Sequence, residues 1–344
     1  MAKSNDLTIY DLARELRVSS STVSRALRDD PRVTERTRKR IKEFAEKKGY
    51  RANFYARTLR SHRTNTIGLL VNELHSEFIG SVLAGVERVL ATAGYNLIVA
   101  NSLDSHQTEL KNVRNLLDRC TDGLIASLSP ETKNLDHLLP LPDKGVPVIL
   151  LNRVEHPLTF PTVAFDYYDC GRMATLHLTA QGCRRIVHMT GPLTRSEYSD
   201  RYRGYRDALQ QSGLPADSER LIVNDLGAEA VRAAAETIAA MRPLPDGLFV
   251  PDDYAAAVCM RTLKEHGLRI PQDIAIVGCN NDRIGILTEP ALTTMSFPGW
   301  QLGELAAKDL LNRLGPGGAK LPITITMVRS ELLIRQSSLR NAGN

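Results

Sequence analysis

Ser20, Ser21, Ser24, Arg25 and Arg28 lie in one short run, Val18-Ser-Ser-Ser-Thr-Val-Ser-Arg-Ala-Leu-Arg28. Short hydroxyls and guanidinium forks are the groups that read base edges in the major groove and hold phosphates. Arg25 is the best placed for a bidentate contact to guanine. Ser20 and Ser21 can donate or accept, which suits a weak or water-mediated readout. Thr8, Tyr10, Thr22 and Ser24 suit phosphate contacts or helix caps. A merely solvated basic face is the alternative reading.

These side chains need a scaffold, because a helix this short does not fold alone. Ser19 is expected as its N-cap, and Val18 and Val23 have the spacing of a hydrophobic staple. Val23, Ala26 and Leu27 form its buried side. Upstream, Thr8-Ile-Tyr-Asp11 is a capping box that opens a helix with Ile9, Leu12, Ala13 and Leu16 on its apolar face. Only Arg17-Val18-Ser19 separates the two, the length of a helix-turn-helix connection. Asp29-Asp-Pro-Arg-Val33 is a turn, Thr34 is expected to cap a third helix bearing Ile41, Phe44 and Ala45, and Gly49 ends it.

The runs Thr8-Ile-Tyr-Asp-Leu-Ala, Val18-Ser, Thr22-Val-Ser-Arg-Ala-Leu, Arg32-Val-Thr, Gly49-Tyr50 and Asn53-Phe-Tyr-Ala-Arg-Thr-Leu59 occur in register. In them, residues 8–63 resemble the DNA-binding head of the lactose-repressor/galactose-repressor family of bacterial transcription regulators. The resemblance implies that Ser20 and Ser21 choose the operator sequence. It adds Ile9, Asn53 and Ala56 to the DNA-facing set. It also implies a hinge helix over residues 53–63 that orders on DNA, with Leu59 wedged between base pairs from the minor groove. Arg57 and Arg60 would hold phosphates or groove edges there. Arg17 stands where the family has Gly, and Ala52 where it has Pro.

Charge agrees with a polyanion bound at one end. Residues 1–65 hold 17 Lys and Arg against 8 Asp and Glu, a net of +9, while the remainder of the chain nets −4. The 344 residues are 42% hydrophobic, enough for two or three domains. Cys120, Cys170, Cys183, Cys259 and Cys279 contain no Cys-x-x-Cys pair and mostly sit in apolar runs, as expected of buried reduced thiols. There is no signal pattern and no apolar run that would cross a bilayer, so a cytoplasmic protein is expected.

From Thr66 short apolar strands alternate with amphipathic helices, and the order then repeats. The pattern predicts two doubly wound lobes of parallel sheet with a cleft at the carboxyl ends of their strands. The resemblance identifies them as a periplasmic-binding-protein-like body. The expected organisation is an all-α helix-turn-helix head (1–52), a hinge and linker (53–65) and an α/β effector-binding and dimerisation body (66–340). Crossings between lobes are expected near Phe165, Phe297 and Ile325.

Arg201-Tyr-Arg-Gly-Tyr205 is read as starting a helix, and the resemblance places Arg201 in the cleft. There its fork can hold two hydroxyls or a carboxylate. Asp252 and Asn280 each follow a strand. Asp252 stands at the family's usual Asn or Asp ligand position, and Asn280 where the family often has an acid. Asn72, Glu77 and Phe78 follow the first strand, with Phe78 able to stack on a sugar or base, and Asn152 and Arg153 complete the rim. Asp253 is read as a helix cap, Asp282 as a turn residue, and Trp300 as core packing.

Catalysis finds no support. The eight histidines lack metal-ligand spacing, and there is no Gly-x-Ser-x-Gly elbow or phosphate loop. No cofactor or metal is expected. The reading is a homodimeric regulator of pseudo-palindromic double-stranded operator DNA, controlled by a small effector, a carbohydrate or its derivative. A regulator governed by a protein partner and a sugar-binding transport protein remain the alternatives. The tail shows no leucine heptad, which argues against a lactose-repressor type of tetramer.

Overall fold

A computed structural model describes residues 7–50, 63–74, 76–119, 121–152, 159–216 and 220–340. The chain divides into two units, at Thr64 and Asn65. Most of the expected hinge lies outside the described residues, and with it Asn53, Ala56, Arg57, Leu59 and Arg60.

In the first unit, α1 (Ile9–Leu16) opens on the capping box: the Asp11 amide donates to Thr8 Oγ1 at 3.3 Å and the Thr8 amide to Asp11 Oδ2 at 3.0 Å. It stops at Arg17, held left-handed at φ +52°, a conformation that glycine adopts without strain. α2 (Ser20–Ala26) follows, capped by Ser19, whose hydroxyl accepts from the Thr22 amide at 3.1 Å. In α3 (Glu35–Lys47) the Thr34 hydroxyl makes no cap bond and donates instead to Thr37 at 2.9 Å, correcting that assignment. Leu12, Leu16, Val23, Ala26, Ile41 and Ala45 form one buried core, with Val18, Leu27 and Phe44 packed around it. Between α2 and α3, Asp29 has φ +59°, and Lys42 Nζ lies 2.6 Å from its carboxylate.

The second unit contains two six-stranded sheets. β1 (Thr66–Val71), α4 (Glu77–Thr92), β2 (Asn96–Asn101), α5 (His106–Asp118), β3 (Gly123–Ala126), β4 (Val148–Asn152) and β5 (Thr162–Phe165) begin the first lobe. The chain then enters the second lobe through α6 (Tyr167–Ala180), β6 (Ile186–Thr190), α7 (Ser196–Gln211) and β7 (Leu221–Val223). It continues there with α8 (Ala228–Ala240), β8 (Gly247–Phe249), α9 (Asp253–Glu265), β9 (Ala275–Asn280), α10 (Ile284–Leu287) and β10 (Thr293–Ser296). α11 (Gly299–Leu314) packs back on α4, β11 (Ile325–Val328) joins the first sheet, and β12 (Glu331–Leu333) joins the second. The strand orders are β11-β5-β4-β3-β1-β2 and β12-β10-β9-β8-β6-β7, parallel throughout except β10 with β12. The chain therefore passes between lobes after Phe165, after Ser296 and between Val328 and Glu331.

Each lobe is backed by one intimate helix pair, and glycine makes both possible. A Cβ on Gly85 would lie 2.0 Å from the Trp300 carbonyl oxygen, and one on Gly303 2.2 Å from that of Val82. In the second lobe a Cβ on Gly171 would meet the Arg201 carbonyl oxygen at 2.0 Å, and one on Gly204 that of Tyr168 at the same distance. Trp300 contributes its backbone to this contact. Its side chain is 48% exposed with the Arg88 guanidinium 5.5 Å from the ring, which corrects the expectation of core packing. α7 begins at Ser196, so Arg201 sits inside the helix and not at its start. The polar first turn, Ser-Glu-Tyr-Ser-Asp, hides that onset from an apolar pattern.

Gly171→Ala should overpack α6 against α7 and destabilise the body by about 1–3 kcal/mol. A urea unfolding midpoint equal to that of the parent protein would contradict this contact.

Candidate functional site

In the head, the hydrogen-bonding groups of α2 divide into two sets. The Ser19 hydroxyl lies 2.8 Å from both Ser21 Oγ and Thr22 Oγ1, so these three form one network at the helix start. Arg28 folds back, donating from Nε to the Ser24 carbonyl at 3.0 Å and from Nη2 to Ser24 Oγ at 2.9 Å. Arg25 is exposed and makes no hydrogen bond among the described residues, and Tyr10 is 68% exposed. Ser20 and Ile9 are half-buried, and Thr8 is committed to its capping box. Arg25 thus keeps its whole fork available, whereas Ser24 and Arg28 must release each other before either meets a ligand.

In the body, the carboxyl ends of β4, β6 and β9 bring Asn152, Thr190 and Asn280 to the junction of the lobes, with Asp252 following β8. Arg201, 5% exposed, projects from α7. Its guanidinium carbon lies 4.4 Å from the Tyr167 ring centre, 5.4 Å from that of Phe297 and 5.9 Å from that of Tyr198. Nη1 donates to the Glu197 carbonyl at 3.3 Å, while the buried Nε has no partner. The Tyr167 hydroxyl donates to Asn152 Oδ1. Phe165 lies 5.8 Å from Phe78 and 4.8 Å from Phe297, ring centre to ring centre, which extends the aromatic floor across both lobes.

Asp252 and Asn280 are joined directly, with Asn280 Nδ2 donating to Asp252 Oδ2 at 3.2 Å. The other Asp252 oxygen accepts the Ala255 amide at 2.8 Å, so Asp252 caps α9. That corrects the role given to Asp253, which is fully buried and accepts from Thr294 Oγ1 at 2.7 Å and the Asp282 amide at 2.8 Å. Burial pushes the Asp253 carboxyl up to about 8 and that of Asp282 up to about 6, and raises Asp252 as well. Burial also drives His188 down to about 3, which keeps its imidazole neutral beside Phe249.

Glu77 and Asn72 lie at the rim, engaged with protein partners. Glu77 Oε2 accepts the Arg283 amide at 3.2 Å across the lobes, and its other oxygen lies 3.6 Å from Arg283 Nε. Asn72 donates to Asp104 at 3.3 Å, and Asp104 in turn lies 3.7 Å from Arg195 of the second lobe. Two clasps therefore join the lobes at this edge. Arg153 lies outside the described residues. On the far side of Asn152 a cavity of about 260 Å³ is lined by Phe165, Asp166, Tyr167, Ser196 and Arg203. A larger open groove of about 770 Å³ runs past Lys264, Arg269 and Gln336, away from every residue read from the sequence.

Sequence reasoning missed Ser127 after β3, Thr190 at the end of β6 and Asn224 after β7. Each holds a buried side-chain polar atom with no partner, a costly state that a bound polar group would relieve. Their shared position at strand carboxyl ends was the available signal. Among the described residues no three His, Cys, Asp or Glu side chains gather as metal ligands, and no helix is long and apolar enough to cross a membrane.

A helix-turn-helix head and a two-lobed parallel-sheet body define the class. Residues 8–53 match the bacterial regulatory proteins of the lacI family, and residues 175–338 match the periplasmic binding protein-like domain. Catabolite control protein A of Priestia megaterium is 31% identical over 306 residues, which span 89% of this chain and 92% of that protein. The chain belongs to the lacI family of bacterial regulatory proteins. A periplasmic binding protein/LacI transcriptional regulator of Alkaliphilus metalliredigens QYMF, complexed with D-xylulofuranose, is similar at 29% identity and a TM-score of 0.67. That match covers 80% of this chain and 99% of that one. The Lac repressor dimer bound to operator and the anti-inducer ONPF shares the fold, with a TM-score of 0.86 at 23% identity over 97% of this chain and 100% of that one.

The raised carboxyls give stability a definite pH dependence. The native state keeps protons that the unfolded chain releases near the usual 3.8, so stability falls as pH rises from about 4 to about 8. Asp253→Asn should flatten that fall. Urea midpoints of both proteins at about pH 5 and about pH 8.5 measure it, and parallel slopes would disprove the assignment.

Proposed function

We propose that this chain is a DNA-binding transcription regulator whose grip on a pseudo-palindromic operator is set by a carbohydrate held between the lobes of its body. The observation that carries the effector half is Arg201. Its guanidinium is buried under aromatic faces with one N–H unpartnered, and the hydrogen-bonded Asp252–Asn280 pair belongs to the same lobe. A fixed donor fork, an acceptor pair and flat apolar rings are the groups that hold adjacent hydroxyls and a sugar face. The D-xylulofuranose bound by the Alkaliphilus regulator supports that ligand class.

Two heads must act together, since one short helix reads too few base pairs for specific binding. A homodimer supplies the second. Exposed apolar side chains support it: Val99 and Leu103 on and after β2, Val223 on β7, and Tyr254, Ile286 and Leu287 beside β9. Closing the lobes on a ligand changes the angle between them, and the hinge segment carries that change to the heads. Coupling of this kind is reciprocal, so operator DNA alters ligand affinity by the factor that ligand alters operator affinity. We infer binding and not catalysis, because the cleft carboxylates Asp252 and Asp253 hold a helix end and Thr294 instead of facing one another across a reacting bond.

Arg25→Ala should lower operator affinity by about 1–3 kcal/mol, read by gel-shift titration on sequences selected from random duplexes. A thermal-shift screen of sugars tests the cleft: one class should raise the melting temperature of the parent protein and fail to do so for Arg201→Ala. If no sugar raises it, the carbohydrate reading falls while the DNA-binding reading stands.

A further inference from the structure

Four cysteines among the described residues are free and buried, yet their surroundings differ sharply. Cys183 Sγ donates to the Asp246 carbonyl at 3.1 Å and burial pushes its thiol up to about 11. Cys259 sits near Met189 and is pushed up to about 12, also by burial. Both are inert thiols in apolar settings. Cys170 and Cys279 are different: their sulfurs are 3.7 Å apart, one on α6 and the other at the end of β9, 109 residues apart in sequence.

We propose that Cys170 and Cys279 are an oxidation site, a dithiol that a hydroperoxide converts to a disulfide in the floor of the interlobe cleft. Geometry carries the proposal, since the two sulfurs need to approach by only about 1.7 Å to reach bonding distance. Charge assists it. Burial alone would raise the Cys170 thiol, but the contact with Cys279 and the Arg201 cation outweigh it and bring the group below its usual value. Cys279 is held well above its usual value by burial and by the sulfur it faces. One sulfur is thus the nucleophile and the other the waiting partner.

The chemistry balances. The Cys170 thiolate attacks one peroxide oxygen, the O–O bond breaks, and hydroxide leaves to take up a proton as water. Cys279 sulfur then attacks the resulting sulfenic acid, the S–O bond breaks, and a second water departs. Two thiols lose two electrons, and one peroxide becomes two waters. The bond would draw α6 towards β9 beside Arg201, whose carbonyl already presses on Gly171, one residue beyond Cys170. It would also pull on Asn280, the residue after Cys279. Any effect on effector binding rests on the cleft reading given above, whereas formation of the bond does not.

The test uses full-length reduced protein treated with hydrogen peroxide, then denatured, alkylated and mapped by mass spectrometry. The expected result is a Cys170–Cys279 linked peptide that dithiothreitol abolishes, with Cys183 and Cys259 still alkylated. In Cys279→Ser, Cys170 should stop at a sulfenic acid that dimedone traps. Peroxide that leaves both thiols alkylated, drives them singly to sulfinic acid or links another pair would overturn the proposal. Mapping of the parent protein decides even if the variant does not fold. The sugar screen repeated on oxidised protein separates the two readings. A linked peptide without any sugar response in either redox state sinks the cleft reading alone, and a sugar response without a linked peptide sinks the dithiol alone.

Discussion

A guanidinium cannot shed its proton to escape burial, so a protein that buries one must answer its charge. Arg201 is answered by three aromatic faces and a single backbone carbonyl, which leaves Nε unsatisfied. Around this cation the rest of the cleft is arranged. Gly171 and Gly204 let α6 and α7 approach closely enough to hold its backbone. Tyr167 covers it and reaches Asn152 of the other lobe with the same hydroxyl. Phe297, on the second passage between lobes, lies against it as well.

The lobe junction therefore joins three kinds of contact whose ranges differ. The aromatic floor of Phe78, Phe165, Tyr167 and Phe297 is short-ranged and favours one packing. The rim clasps, Glu77 with Arg283 and Asp104 with Arg195, are partly exposed pairs of the sort worth little individually. Orphaned donors and acceptors on Ser127, Thr190 and Asn224 penalise the empty closed form. Weak clasps over an unsatisfied floor leave the angle between lobes responsive to what fills the space, which is what a bistable element needs.

The head was legible because its determinants are local. A capping box, a staple and a three-residue break occupy twenty residues, and even the left-handed Arg17 showed itself as a bulky residue where a turn asks for glycine. The alternation of the body was legible for the same reason, although short polar-rich strands such as Thr293–Ser296 carried too little pattern to be seen. The cleft was harder. Arg201, Asp252, Asn152 and Asn280 were found from their family positions or from following a strand, whereas Ser127, Thr190 and Asn224 have no spacing rule and are united only by the fold. Asp252 and Asp253 exchanged expected roles because adjacent carboxylates at a helix start differ by the direction each faces, which sequence does not encode locally. Trp300 misled for a related reason: its α11 backbone is in the packed interface while its ring is not.

The last two strands have a consequence for how the body is made. β11 completes the edge of the first sheet and β12 the edge of the second, three residues later. Neither lobe has its full complement of strands until about 330 residues have left the ribosome. The nascent body must wait with two unfinished sheet edges exposed, so chaperone engagement during synthesis should concentrate there, late and on both lobes at once.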